Sequence, residues 1–230
     1  FTNCGVQYTQ NDNGDIILDQ DGYISTLRPI MTPELTGAAA EHEATKNVAD
    51  MFVSLRGALA YTTLTQAWIQ VYIVALQRVQ VPTNLDVRRL NAVTRKLQKT
   101  PQKTVFPFMK CAGAVDLHTD SGYRRMEQVD DVKGYGMRGL CLLRRGEKRD
   151  ESPAVHLLDS ICRSHRLTIR SSYGAATLTA AHGFDDAFPT LVTVEELKHG
   201  VLSPTELKTY REQGGLRLSI TLTTDAESVY

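Results

Sequence analysis

Two aspartates of the chain each come at the end of a pattern that is typical of a β-strand. Asp120 closes the stretch Ala114-Val-Asp-Leu-His-Thr-Asp, and Asp225 follows a second alternating stretch near the end of the chain. A period of two predicts a half-buried strand, with Asp116, His118 and Asp120 on its polar face. Carboxylates are the ligands that Mg²⁺ prefers, but the ion needs a near-octahedral set of oxygens and gains little from one acid. The two aspartates therefore predict metal chemistry only where further carboxylates converge on them.

Three stretches, 114–123, 169–177 and 216–228, resemble in this order the core of the RNase H-like domain of copia-type retrotransposon polyproteins. The resemblance implies a first strand ending in a catalytic Asp, a helix opening Ser-Ser-x-x-Ala-Glu that supplies a Glu, and a fourth strand ending in an Asp. Asp120 and Asp225 match the two aspartates, whereas Ala176 stands at the position of the Glu. RNase H chemistry needs several carboxylates around two divalent cations, and a methyl group binds no metal. The resemblance therefore implies a site that is not intact, with Asp120 and Asp225 as vestiges.

Two nearby acids, Asp185 and Asp186, are the candidates to replace the missing Glu. They follow Ala176 by nine and ten residues, which is about 13 to 15 Å along a helix that rises about 1.5 Å per residue. We therefore expect no rescue from them. The Ala-rich sequence around Ala176 is also explained by close packing of a helix on a sheet.

Bulk composition limits the possible functions. The chain has 230 residues, 42% of them hydrophobic, which suffices for one large domain or two small ones. Its 26 basic and 26 acidic residues cancel, so no overall field attracts nucleic acid or a membrane. Four scattered cysteines without metal-ligand spacing predict reduced thiols and an intracellular protein, with mitochondrion, cytoplasm and nucleus all open. We expect no membrane segment and no small-molecule substrate.

The first 105 residues predict a hairpin followed by helices. The turn signal Asn11-Asp-Asn-Gly14 lies between two strand patterns, and helical periodicity follows in three runs from Asn47, from Trp68 and behind Asn84 as N-cap. The segments 17–27 and 54–66 resemble the end of the palm and the thumb helix of the same polyproteins. At the end of the thumb helix that family continues with Arg-Pro-Asp, whereas this chain has Gln66-Ala67-Trp68.

Basic residues crowd the third of these helices and its exit. A face of this kind would lie along a phosphate backbone, although charge runs are more often solvated helix surfaces. Aromatic side chains for base stacking are few, so only backbone contact is expected. The residues that we predict to contact nucleic acid are Arg88, Arg89, Arg95, Lys96 and Lys99.

Residues 106–230 predict a mixed sheet flanked by helices. Strand patterns occur before Asp120, over 137–143 and over 155–161. A helix is predicted after Ser171-Ser172, a helix, turn and helix over 193–213, and a last strand over 216–222. The predicted fold class is α+β or α/β, with a small helical thumb-like bundle and hairpin over 1–105 and a truncated RNase H-like domain over 106–230.

Two functions fit these features. The first is a non-catalytic, retrotransposon-derived protein that acts as a structural or RNA-contacting subunit of a larger ribonucleoprotein assembly, with RNA and other protein chains as partners and no cofactor. The second is a fragment of an active reverse transcriptase/RNase H polyprotein that cleaves RNA in RNA:DNA hybrids with Mg²⁺. The chain contains no Tyr-x-Asp-Asp polymerase motif, so polymerase activity is not expected of it. A pure protein-interaction module is a third alternative.

Overall fold

The chain folds into two compact units, Phe1–Phe106 and Pro107–Tyr230. The computed structural model describes residues 1–109, 114–122, 136–149, 152–165, 171–218 and 220–225. Each unit has its own four-stranded sheet and its own hydrophobic core. The α+β part of the predicted fold class is therefore confirmed.

A small antiparallel sheet opens the first unit. Its strands are β1 (Thr2–Asn3), β2 (Val6–Gln10), β3 (Ile16–Asp19) and β4 (Thr104–Phe106), in the order β1-β2-β3-β4. The predicted hairpin is confirmed, because Asn11 accepts a hydrogen bond from the Asp15 N–H at 2.9 Å and Gly14 adopts a φ of 83° in the turn. The pairing of β4 with β3 was not predicted, since a three-residue strand so distant in sequence has no recognisable local pattern.

Four α-helices complete the first unit: α1 (Asp21–Thr26), α2 (Lys46–Thr62), α3 (Gln70–Gln77) and α4 (Asn84–Lys99). The three periodic runs are confirmed as α2, α3 and α4. Their apolar faces meet in one core, in which Phe52, Leu59 and Leu90 are fully buried. This burial is the main term that stabilises the bundle.

The predicted N-cap of α4 is wrong. The cap is Thr83, whose hydroxyl accepts a hydrogen bond from the Asp86 N–H, while the Asp86 carboxylate accepts one from the Thr83 N–H. This reciprocal arrangement satisfies two backbone donors at once, which a lone Asn cannot do. Asn84 is instead buried and donates to the Ala39 carbonyl at 2.9 Å.

The sheet of the second unit contains β5 (Val115–Gly122), β6 (Met137–Arg149), β7 (Ser152–Ser164) and β8 (Ile220–Thr224), in the order β7-β6-β5-β8. The first three strands are antiparallel neighbours, and β8 returns parallel to β5. Between β7 and β8 lie α5 (Ser172–His199) and α6 (Pro204–Gln213). Parallel neighbours need a crossover of this kind.

Two predicted boundaries of the second unit are wrong. A separate helix was expected from Thr193, but α5 runs without a break from Ser172 to His199 through Pro189, because the fully buried Ala187 and Leu191 hold it on the sheet on both sides of the proline. Residues 216–218 do not form a strand, and the described pairing of β8 with β5 begins where Ile220 meets Val115.

Candidate functional site

The structure brings the two predicted aspartates to neighbouring positions in the sheet of the second unit. Thr119 of β5 and Thr224 of β8 are register partners in parallel strands, and Asp120 and Asp225 each follow one of them directly. Adjacent strands lie about 4.8 Å apart, so the two aspartates stand side by side. Both are exposed. A cation or a hydrogen-bond donor in solvent can therefore reach them.

The predicted alternation along β5 is confirmed. Val115, Leu117 and Thr119 are buried, whereas His118 and Asp120 are exposed. Asp116 lies on the same face as Asp120, but its carboxylate is 3.1 Å from the Arg145 guanidinium. Because this ion pair compensates its charge, Asp116 is not a free third acid beside the pair.

Ala176 lies on the buried side of α5, with only 6% of its surface exposed. Gly183 of α5 packs against Thr119, and the later residues Ala187 and Leu191 pack in the same core as Val115. The helix therefore runs antiparallel to β5, and Ala176, two turns before Gly183, lies toward the end of the sheet that bears Asp120. The helix thus presents a methyl group at the position where the resemblance implies a Glu.

Asp185 and Asp186, the two candidate replacements for the missing Glu, are each placed away from that role. Asp186 is held between two guanidinium groups, at 3.2 Å from Arg138 and 3.4 Å from Arg163. Asp185 is exposed on the outer side of α5. A carboxylate that already neutralises two cations is a poor partner for a third. In the part of the chain that the structure describes, no three His, Cys, Asp or Glu side chains lie close enough together to hold a metal ion. Two adjacent acids between β5 and β6, Asp130 and Asp131, could also ligate a cation by their sequence, but they lie outside the described residues.

A buried histidine that sequence reasoning missed lies at the same end of the sheet. His165 is buried, with 3% of its surface exposed. Its Nε2 atom lies 3.1 Å from the hydroxyl oxygen of Thr179, and its backbone N–H donates to the carbonyl of Gly136. Its Nδ1 is buried without a hydrogen-bond partner among the described residues. Burial lowers the pKa of His165, and the charges of Arg138 and His182 lower it further. The residue connects the end of β7 to α5, and only a tertiary structure reveals that connection.

The five predicted nucleic-acid contacts lie on α4 of the first unit, and all are exposed. They do not form one uniform surface. Arg88 donates to the carbonyls of Ala38, at 2.5 Å, and Leu35, and Arg89 forms an ion pair with Asp86 at 3.3 Å. Both therefore have structural roles in holding a loop and a helix start.

The remaining three cations, Arg95, Lys96 and Lys99, form what we call the α4 basic patch. They fall within five consecutive residues and so on one side of the helix, opposite the buried Thr94 and Leu97. Within the described ranges, none of the three side chains has an ion-pair or hydrogen-bond partner. Lys96 and Lys99 also lie in the last helical turn, where positive charge is favourable to the helix dipole. The patch is therefore stable and available for an anionic partner.

A search of the chain against protein-family models finds no match, and a search against curated proteins finds none either. No helix in the described parts of the chain combines the length and the apolar character that crossing a bilayer requires.

Proposed function

We propose that the chain is a non-catalytic RNase H-like protein of retrotransposon origin that contacts RNA as a structural subunit of a ribonucleoprotein assembly. The observation that carries the proposal is the side-by-side placement of Asp120 and Asp225, together with Ala176 of α5 at the position where the resemblance implies a Glu. The resemblance supplied these residues from sequence alone, and the register of β5 and β8 is consistent with it.

The topology of the second unit supports the RNase H-like part of the proposal. Three antiparallel strands, a helical crossover and a fourth strand parallel to the first give the order β7-β6-β5-β8. This arrangement follows the succession of the three stretches that carry the resemblance. Sheet topology alone does not define chemistry, so the function rests on the site residues.

Loss of catalysis is supported by the ligands that are present. Asp120 and Asp225 offer two carboxylates, Asp116 and Asp186 are engaged by arginines, and Ala176 offers none. Two-metal hydrolysis needs ligands that bridge both ions and position them about 4 Å apart. Two carboxylates suffice for one loosely held Mg²⁺, but not for the pair.

Contact with RNA is supported by the α4 basic patch in the first unit. Three exposed cations on one side of a helix, whose side chains have no partner among the described residues, can each neutralise a phosphate and release a counterion. No aromatic side chain is part of this patch, so the contact is to the RNA backbone and independent of sequence.

The test of RNA contact is the salt dependence of binding to a single-stranded RNA. Replacing Arg95, Lys96 and Lys99 by Gln should reduce the slope of log K against log salt by about 2, since each lost contact to a single strand removes about 0.7. The control carries the same charge change elsewhere, at the exposed residues Lys46, Lys208 and Arg211, and should leave the slope unchanged. Equal slopes for the two triple variants would remove the patch from the proposal.

The second candidate function is an active RNase H that uses ligands outside the described residues. The same pair of exposed acids favours it, because Asp120 and Asp225 retain the relative position that a shared cation needs. Cleavage of an RNA:DNA hybrid distinguishes the two candidates, since only this second one predicts it.

A further inference from the structure

Two of the cysteines lie on one face of the sheet in the second unit. The register pairs Cys141 of β6 with Ser160 of β7. It pairs Cys162, two residues further along β7, with Gly139. Residues directly opposite each other point to the same face, and so do residues two apart along a strand. Because the pairing is regular here, the two thiols stand on the same face as diagonal neighbours on adjacent strands.

Both thiols lie on the face of the sheet that is turned away from α5. The buried Leu140 and Leu142 flank Cys141 along β6 and therefore point to the opposite face, where the core lies. Cys141 is exposed and Cys162 is half-buried. Unpaired cysteines are usually among the most buried residues. Core packing therefore does not explain why these two thiols stand together on an open face.

Gly139 leaves space on this face beside Cys162. A side chain at Gly139 would stand directly next to Cys162 and two residues from Cys141. Among the described residues, a Cβ added at Gly139 would meet within 4 Å only the backbone oxygens of Asp120 and Ile161, each at 4.0 Å. The sheet therefore offers a shallow open space at this point, next to both sulfurs.

The spacing of diagonal neighbours suits a bridging ion better than a disulfide. Such neighbours are about 7 to 8 Å apart, with the Cβ atoms somewhat closer. A disulfide needs Cβ atoms about 3.8 Å apart and cannot span Cα atoms more than about 7 Å apart without backbone movement. Bonds from a metal ion to thiolate are about 2.3 Å long, so a linear arrangement holds two sulfurs about 4 to 5 Å apart. One ion can therefore join this pair where a direct bond does not fit.

The two sulfurs select the class of ion. Thiolates favour soft metals, among them Cu(I) and zinc. Structural zinc takes four ligands, and among the described residues no three His, Cys, Asp or Glu side chains converge. Cu(I) is commonly bound linearly by two sulfurs. Burial raises the pKa of both thiols, and Asp159 raises that of Cys141 further. A hard ion such as Mg²⁺ does not displace their protons, whereas a soft ion does.

We propose that Cys141 and Cys162 form a binding site for one Cu(I) ion, held between the two sulfurs. Each thiol releases its proton to solvent as its sulfur binds, so two thiolates and one monovalent cation leave a single negative charge. His118, the register partner of Cys141 on β5, is exposed on the same face and stands where a ring N–H can donate to the bound thiolate. The site goes beyond RNA contact and uses neither the α4 basic patch nor Asp120 and Asp225.

Competition with bicinchoninate, a coloured chelator of Cu(I), tests the proposal on the reduced 230-residue chain in the absence of oxygen. The parent chain should withdraw one Cu(I) per molecule from the chelator, and the double variant Cys141→Ser, Cys162→Ser should withdraw none. The matched control replaces the other two cysteines, Cys4 and Cys111, by Ser and should bind like the parent chain. X-ray absorption at the copper edge should show two sulfur neighbours in the parent and in the control.

Circular dichroism of each variant checks that the fold is retained, which the similar size of Ser and Cys leads us to expect. A parent chain that leaves all the copper on the chelator would overturn the proposal. Equal loss of binding in the two double variants would also overturn it, as would a copper ion with fewer than two sulfur neighbours.

Discussion

The two units differ in the buried polar atoms that lack partners among the described residues: in the first unit they include an amide nitrogen of Gln20, and in the second most belong to ionisable groups. In the first unit, buried amides form hydrogen bonds to the backbone: Asn91 both donates to and accepts from Ile30, and Gln66 accepts from the N–H of Gln102. In the second unit, buried ionisable groups keep atoms without partners among the described residues, including Glu195 Oε2, His165 Nδ1 and Arg144 Nε. Satisfied amides stabilise a unique fold, whereas the buried His165, whose pKa is lowered, makes stability depend on pH.

The comparison indicates different roles for the two units. The first is a scaffold whose polar core joins distant segments. The second retains a cluster of charged and titratable groups, His165, His182, Arg138 and Asp186, near the end of the sheet that bears Asp120. Such clusters are common at functional sites, and they also occur at structural ion-pair networks.

The largest expected effect of a single substitution is at Asn91 in the first unit. Asn91→Ala removes two hydrogen bonds and leaves the buried N–H and C=O of Ile30 unsatisfied, which should cost about 2 to 5 kcal/mol of unfolding free energy. The chain has a single tryptophan, Trp68, which packs against the core of the first unit. Urea denaturation followed by Trp68 fluorescence therefore measures the stability of this unit.

The control for Asn91 is Thr100→Ala, which removes an exposed hydrogen bond to Lys96 at the end of α4. It should change stability by less than about 0.5 kcal/mol. Equal effects of the two substitutions would show that the first unit does not depend on its buried amides.

A smaller effect is expected from pH on the second unit. The pKa of His165 is lowered in the fold from its ordinary 6.5, so the unfolded chain takes up this proton at a higher pH than the folded chain. Stability should therefore fall as pH drops below about 6.5 and level off below the folded pKa. One proton limits the slope to about 1.4 kcal/mol per pH unit.

Amide hydrogen exchange of β7 and α5 at several pH values measures this dependence, with Trp68 fluorescence as the internal reference for the first unit. His165 contacts Thr179 of α5, and the charged groups that act on it are Arg138 of β6 and His182 of α5. His165→Gln removes the titration and should flatten the profile. A profile that stays as steep in this variant would assign the dependence to another group of the cluster.

Local patterns predicted most elements, and long-range contacts account for the misses. The hairpin, the helices α2 to α4 and the polar face of β5 follow from turn residues and periodicity, which act over a few residues. The pairing of β4 with β3, the continuation of α5 through Pro189 and the start of β8 at Ile220 depend on partners that are distant in sequence.

In the candidate site, too, local patterns were predicted and long-range contacts were not. The sequence identified Asp120 and Asp225 from their places at strand ends, and the structure shows that they are neighbours. The sequence did not indicate that Arg88 and Arg89 have structural partners. The Ala38 carbonyl that Arg88 contacts is distant in sequence. The ion pair of Arg89 with Asp86, three residues earlier, forms only once the helix exists. The predicted set of five cations is thereby reduced to the α4 basic patch.

The most direct test of the central claim is Mg²⁺-dependent cleavage of RNA in an RNA:DNA hybrid by the intact chain and by Ala176→Glu. We expect no cleavage by the parent chain, and cleavage by Ala176→Glu but not by the equally large, uncharged Ala176→Gln would identify the lost carboxylate as the cause. Robust cleavage by the parent chain that Asp120→Asn abolishes would contradict the account.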